Sequence, residues 1–196
     1  MEHHFRNPPS LNPRHLVVAL LEDRSDALVQ TMNLLHRRAF RIDDVVYGRT
    51  EQDGIARLTL AFSGAASEAE RLCRELGRLL YVLKVDELTR ETASVARELA
   101  LIKVAVTPET RPEVVQLCEV FRGRVVDVAP ASLTVELTGD ESKIASCLDV
   151  LRPFGILEMV RSGPLAMGRA ARVLQAGEHT SSWLADRRER AAARSN

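Results

Sequence analysis

Phe121-Arg-Gly-Arg-Val-Val-Asp-Val-Ala-Pro-Ala-Ser-Leu-Thr-Val-Glu-Leu-Thr-Gly139 is the stretch on which the reading of the fold turns. Its first residues close a helix: Val114, Leu117, Cys118 and Phe121 recur at helical spacing, and Gly123 is expected to end that helix in the left-handed conformation. Val125 to Val128 and Leu133 to Leu137 then read as two strands folded about Ala129-Pro130-Ala131. Upstream, Leu99 to Val106 reads as a strand, and Thr110-Arg-Pro-Glu113 as a capping box with Pro112 tolerated in the first turn. Downstream, Asp140 is expected to cap a helix carrying Ile144, Leu148 and Leu151. Pro153 stops that helix, and Ile156 to Val160 forms a closing strand. The order is strand, helix, strand, strand, helix, strand.

The same order occurs about 80 residues earlier, as a repeat of element pattern rather than of residues. His15 to Leu21 reads as a buried strand, and Ser25 as the cap of a helix with Leu28, Met32 and Leu35 on one face. Ile42 to Thr50 and Ile55 to Phe62 flank the turn signal Gln52-Asp53-Gly54 and predict a hairpin. Ser67-Glu-Ala-Glu70 reads as a capping box before a helix marked by Leu72, Leu76 and Leu79, and Tyr81 to Leu88 returns as a strand.

Two such units in tandem predict an α+β fold of two ferredoxin-like βαββαβ domains, each an antiparallel sheet with both helices on one face. The expected organisation is a flexible lead at 1–14, a first domain at 15–88, a linker at 89–97, a second domain at 98–163 and a polar tail at 164–196. The sheet face without helices carries apolar residues, so a symmetric dimer is expected to bury it, with edge-strand pairing as a second route. In the tail, Arg187 to Arg194 lacks an apolar face and reads as solvated and partly disordered, with docking of Trp183 and Leu184 onto a partner as the alternative.

The 27 basic and 27 acidic residues cancel, so no global field draws the chain toward nucleic acid or an anionic membrane. No apolar run approaches the roughly 20 residues of a spanning helix, and the opening residues lack the hydrophobic core of a signal peptide. Cys73, Cys118 and Cys147 have neither zinc-site nor redox-pair spacing and read as buried, reduced thiols, which suits the cytoplasm. His3, His4, His15, His36 and His179 pair with no nucleophile, and no phosphate loop or metal-ligand spacing is present. The residues therefore predict no catalytic site, no metal and no cofactor on this chain.

The Arg-Gly turn opening Val125-Val-Asp-Val128, the strand Thr134-Val-Glu-Leu-Thr-Gly139 and the closing Leu157-Glu-Met-Val-Arg-Ser-Gly163 resemble the C-terminal domain of the regulatory small subunit of acetolactate synthase. Leu20 to Leu28 and Arg37 to Asp43 in turn resemble an ACT domain, the amino-acid-sensing module that forms the N-terminal half of that family. The resemblance implies a non-catalytic subunit in branched-chain amino-acid biosynthesis that activates a catalytic large subunit and transmits feedback inhibition to it. It also implies a homodimer or larger assembly through the ACT domain. Thiamin diphosphate, Mg and FAD belong on the catalytic partner. A free-standing ACT-type sensor acting on another enzyme or a transcription factor is the alternative, though such a sensor has no reason to carry the Val125 to Gly163 pattern.

By family position, the resemblance puts a branched-chain amino acid, usually valine, against Asp23, Ser25, Asp26, Ala27, Leu28, Arg41 and Ile42. The sequence departs from the family pattern where Asp23 stands for an Asn, Asp26 for a helix-start Gly, Ala39 for a second Gly and Arg41 for a second Asn. Free backbone N–H groups at a helix start would seat a ligand carboxylate. Asp26 is expected to occupy that seat itself, with Arg41 pairing to it. Arg41 recruiting a ligand carboxylate from a new direction, and both residues being simply solvated, are the other readings of the same residues.

Overall fold

The computed structural model describes residues 13–89, 94–171 and 173–176. The chain divides into two compact units: a first that ends at Val95 and takes up the chain again from Ala166, and a second that runs Ala96–Leu165. The first contains β1 (Arg14–Glu22), α1 (Ala27–Arg37), β2 (Asp44–Arg49), β3 (Ile55–Ser63), α2 (Ala66–Leu76) and β4 (Val82–Glu87). β5 (Ser94–Ala105) begins at the boundary and leads into α3 (Arg111–Val120), β6 (Arg124–Ala129), β7 (Ser132–Gly139), α4 (Glu141–Leu151), a 3-10 turn (Arg152–Phe154) and β8 (Ile156–Arg161).

Both sheets are antiparallel and have the ferredoxin-like order, β2-β3-β1-β4 and β6-β7-β5-β8. A short β9 (Leu165–Gly168) pairs with β5 off this path. Two sequence expectations change here. Ser94 to Arg97 are strand rather than linker, because β5 is twelve residues long. The stretch read as a polar tail opens with β9. Residues 90–93, Trp183, Leu184 and the run Arg187 to Arg194 lie outside the described residues.

Alternation along the strands builds each core. Val17, Ala19 and Leu21 of β1 and Leu58, Leu60 and Phe62 of β3 face Ala27, Leu34 and Leu35 of α1 and Ala69, Leu72 and Leu76 of α2. In the second unit, Ala100, Ile102 and Val104 with Leu133 and Leu137 meet Val114 of α3 and Ile144, Cys147 and Leu151 of α4. Each such Leu contributes about 2 kcal/mol when fully buried. The opposite faces differ. In the second unit that face is mixed, with Lys103 near Glu158 and Arg124 on Glu136 beside Leu101 and the exposed Leu99 and Val160. In the first, Val18, Leu20, Thr59 and Ala61 are buried although no helix covers them.

Helix ends refine the reading by one or two residues. Asp26, not Ser25, is the residue before α1. α2 starts at Ala66, earlier than Ser67-Glu-Ala-Glu70 implied, and Glu68 rather than Glu70 reaches back, accepting from the Ala65 N–H at 3.1 Å. Thr110 precedes α3, but its hydroxyl accepts from the Thr107 N–H instead of capping the helix. Asp140 caps α4 as expected, accepting from the Lys143 N–H at 2.8 Å, and that bond holds its carboxyl below the usual range.

Arg122, not Gly123, takes the left-handed conformation after α3, at φ 53°. Gly123 is small for another reason: a Cβ there would lie 3.0 Å from the Glu136 carbonyl and 3.1 Å from Cys118 Sγ. Ala39 ends α1 in the same way at φ 54°, with Ala39 N–H on the His36 carbonyl and Phe40 N–H on the Leu35 carbonyl. A left-handed non-glycine residue is strained by about 1 kcal/mol. Ala39→Gly is therefore expected to stabilise the chain by up to about 1 kcal/mol, less the greater freedom of glycine in the unfolded chain. A higher melting temperature by roughly 2–4 °C would register it; an unchanged or lower value would refute it.

Candidate effector site at the start of the first helix

The loop between β1 and α1 is tied down through its backbone. The Asp23 N–H donates to the Gly54 carbonyl at 2.8 Å, the Arg24 N–H to Glu22 at 2.9 Å and the Ala27 N–H to Arg24 at 3.2 Å. β1 delivers Glu22 buried, and α1 starts on Ala27, which packs in the core. Ala at this point lets the helix start lie close to the sheet.

Asp26 does not use its side chain to cap α1. Its carboxylate is instead held by charged and amide donors: Arg24 Nε at 2.5 Å, Arg24 Nη2 at 2.7 Å and Gln30 Nε2 at 2.6 Å. The bond to Asp26 raises the pKa of Arg24 above its ordinary value, with further help from Glu22, whose Oε2 is 3.8 Å from Arg24 Nη1. The same guanidinium lies 5.9 Å from the centroid of the Tyr81 ring. Beneath it, the buried Thr31 hydroxyl donates to the Ala27 carbonyl at 2.8 Å and sits 3.2 Å from the Tyr81 hydroxyl.

Asp23 closes the other side. Arg49 Nε is 3.4 Å from its Oδ2, and the Tyr47 hydroxyl donates to Oδ1 at a long 3.5 Å. Burial first, and Asp23 second, push the Tyr47 hydroxyl pKa up, so it stays a donor at neutral pH. Of the remaining residues named from the sequence, Ser25 is exposed, and Leu28 and Ile42 pack half-buried against the core. Arg41 is exposed and makes no hydrogen bond or ion pair among the described residues. The cation on Asp26 is thus Arg24, not Arg41. The Asp26 to Gln30 spacing of one helical turn was visible in the sequence; the reach of Arg49 from β2 to Asp23 was not.

No nucleophile emerges from the thiols. Burial pushes the Cys73 and Cys147 thiols up to about 11 and raises Cys118 as well, so all three are protonated at neutral pH. Among the described residues no group of three or more His, Cys, Asp or Glu could hold a metal ion, and no helix is long and apolar enough to cross a membrane.

Two ferredoxin-like βαββαβ units in tandem define the class of this chain as α+β. The family described as the small subunit of acetolactate synthase matches residues 97–170, and the crystal structure of that small subunit from Thermotoga maritima superposes with a TM-score of 0.75, at 32% identity over 81% of this chain and 99% of that one. The probable acetolactate synthase small subunit of Methanothermobacter thermautotrophicus is 42% identical over 161 residues, 82% of this chain and 95% of that protein, and the Mycolicibacterium smegmatis small subunit is 38% identical over 166 residues, 85% and 97% respectively. The chain belongs to the acetolactate synthase small-subunit family.

Proposed function

We propose that this chain is the regulatory partner of a thiamin-diphosphate acetolactate synthase catalytic subunit in branched-chain amino-acid biosynthesis, and that it raises the activity of that subunit without an active site of its own. The observation that carries the reading is the 42% identity running across both units and 95% of a small-subunit relative. The partner is the catalytic large subunit, which holds thiamin diphosphate, Mg and FAD, and the pair works in the cytoplasm. The chain self-associates through its first unit, where β2 is an edge strand of the sheet. Because the Asp26 carboxylate, ion-paired with Arg24, stands beside the start of α1, the subunit activates its partner while responding weakly to valine.

The test is acetolactate formation by the catalytic subunit with and without this chain, under saturating cofactors, repeated with valine, leucine and isoleucine. The isolated chain is expected to form no acetolactate, and the mixture to turn over several-fold faster than the catalytic subunit alone. Equal rates in the two assays would reject the reading.

A further inference from the structure

The sheet face of the first unit that has no helix on it carries Leu16, Val18 and Leu20 from β1 opposite Ala61, Thr59 and Arg57 from β3. Val18, Leu20, Thr59 and Ala61 are nevertheless buried. Arg57, half-buried on this face, donates from Nη2 to the carbonyl of Ala166 at 2.5 Å, and Ala166 belongs to the same compact unit. Three residues on, Arg169 Nε donates to the Ser94 carbonyl at 2.8 Å. The Ser94 hydroxyl in turn donates to the Leu88 carbonyl at 2.7 Å, and the Leu88 N–H to Leu16 of β1 at 2.8 Å. The segment is therefore fastened to the first unit at both ends.

Its side chains are sorted by size. Ala166 is 6% exposed, whereas Leu165 and Met167 on either side are 59% and 64% exposed. A small residue turned inward lets the backbone come near enough for a side chain of the sheet to reach a carbonyl, which a large residue would prevent. Burial also lowers the pKa of Arg57, so its charge rests against protein groups, the Ala166 carbonyl among them, rather than against bulk water.

We propose that Leu165–Arg169 is a strap that closes the helix-free face of the first unit from within the chain, latched by Arg57 and Arg169, and that lifting it uncovers Val18, Leu20 and Ala61.

Hydrogen exchange read by mass spectrometry on the full chain tests this, with an anilinonaphthalene sulfonate dye as the probe for uncovered apolar surface. Arg57→Met keeps the aliphatic stem but removes the latch. Exchange of the 165–169 amides is expected to rise roughly tenfold or more, the factor that one hydrogen bond to a charged group is worth, and dye binding to rise with it. Ala166→Trp leaves Arg57 in place but puts a large residue inward, and is expected to give the same two changes. Peptides from α1, α2, α3 and α4 should exchange as before. Unchanged exchange of the segment in both variants overturns the proposal, as does a rise spread evenly over all peptides, or a freed segment with no gain in dye binding.

Discussion

Replacing Arg161 by Met is expected to lower the stability of the second unit by about 3 kcal/mol, the lower end for breaking one side of a buried ion pair. Glu98, at the start of the long β5, is only 3% exposed, and Arg161 at the end of β8 donates to its Oε2 from Nε at 2.9 Å and from Nη2 as well. The partly exposed guanidinium places the effect at that lower end. Removing Arg161 leaves a carboxylate out of water without this fork of donors. Arg161→Lys keeps a charge but not the fork, and is expected to recover part of the loss. Glu98→Gln combined with Arg161→Met should be less damaging than Arg161→Met alone, which a double-mutant cycle in urea measures. A loss below about 1 kcal/mol for Arg161→Met would show that the pair behaves as an ordinary surface contact.

The same strand end shows what the Arg161-Ser-Gly163 sequence does physically. Ser162 exchanges two bonds with Leu99, its N–H donating to the Leu99 carbonyl at 2.9 Å and its hydroxyl accepting from the Leu99 N–H at 3.0 Å. Gly163 then turns the chain at φ 73°, a conformation that favours glycine. Arg, Ser and Gly in succession thus supply an ion pair, a strand-end clamp and a left-handed turn.

The elements were legible because they depend on local periodicity. Leu28, Met32 and Leu35 fall on one face of α1, and alternate residues of β1 and β3 share one side of the sheet, whatever the rest of the chain does. Helix starts were less legible, since Ser25 and Asp26 are both good caps and only the backbone decides between them. Contacts between distant residues left no local trace. Nothing near Glu98 announces Arg161, and nothing near Asp23 announces Arg49. For the same reason nothing near Arg57 announces Ala166, more than a hundred positions away. At the candidate site, the partner of Asp26 is Arg24, two residues earlier, rather than Arg41 on the approach to the next strand.

That partner changes what opening the site should require. Asp26→Gly alone is expected to raise the affinity of the chain for valine by up to roughly a thousandfold, because a ligand carboxylate about 4 Å from Asp26 meets repulsion of about 4 kcal/mol at an effective dielectric near 20. The substitution also frees the Arg24 guanidinium, now held at 2.5 and 2.7 Å by Asp26, to receive the ligand carboxylate. Asp26→Asn separates charge from bulk: it removes the repulsion but leaves a side chain in the way, and should recover only part of the gain. Arg24→Met with Asp26→Gly should forfeit the contribution of the guanidinium, whereas Arg41→Asn should change nothing, since Arg41 is exposed and does not reach Asp26. Calorimetric titration with valine, leucine and isoleucine distinguishes these variants. Micromolar valine binding by the unmodified chain, worth about 8 kcal/mol, would mean that Asp26 and Arg24 do not close the site, and an Asp26→Gly variant with no gain would mean that the start of α1 is not where the effector sits.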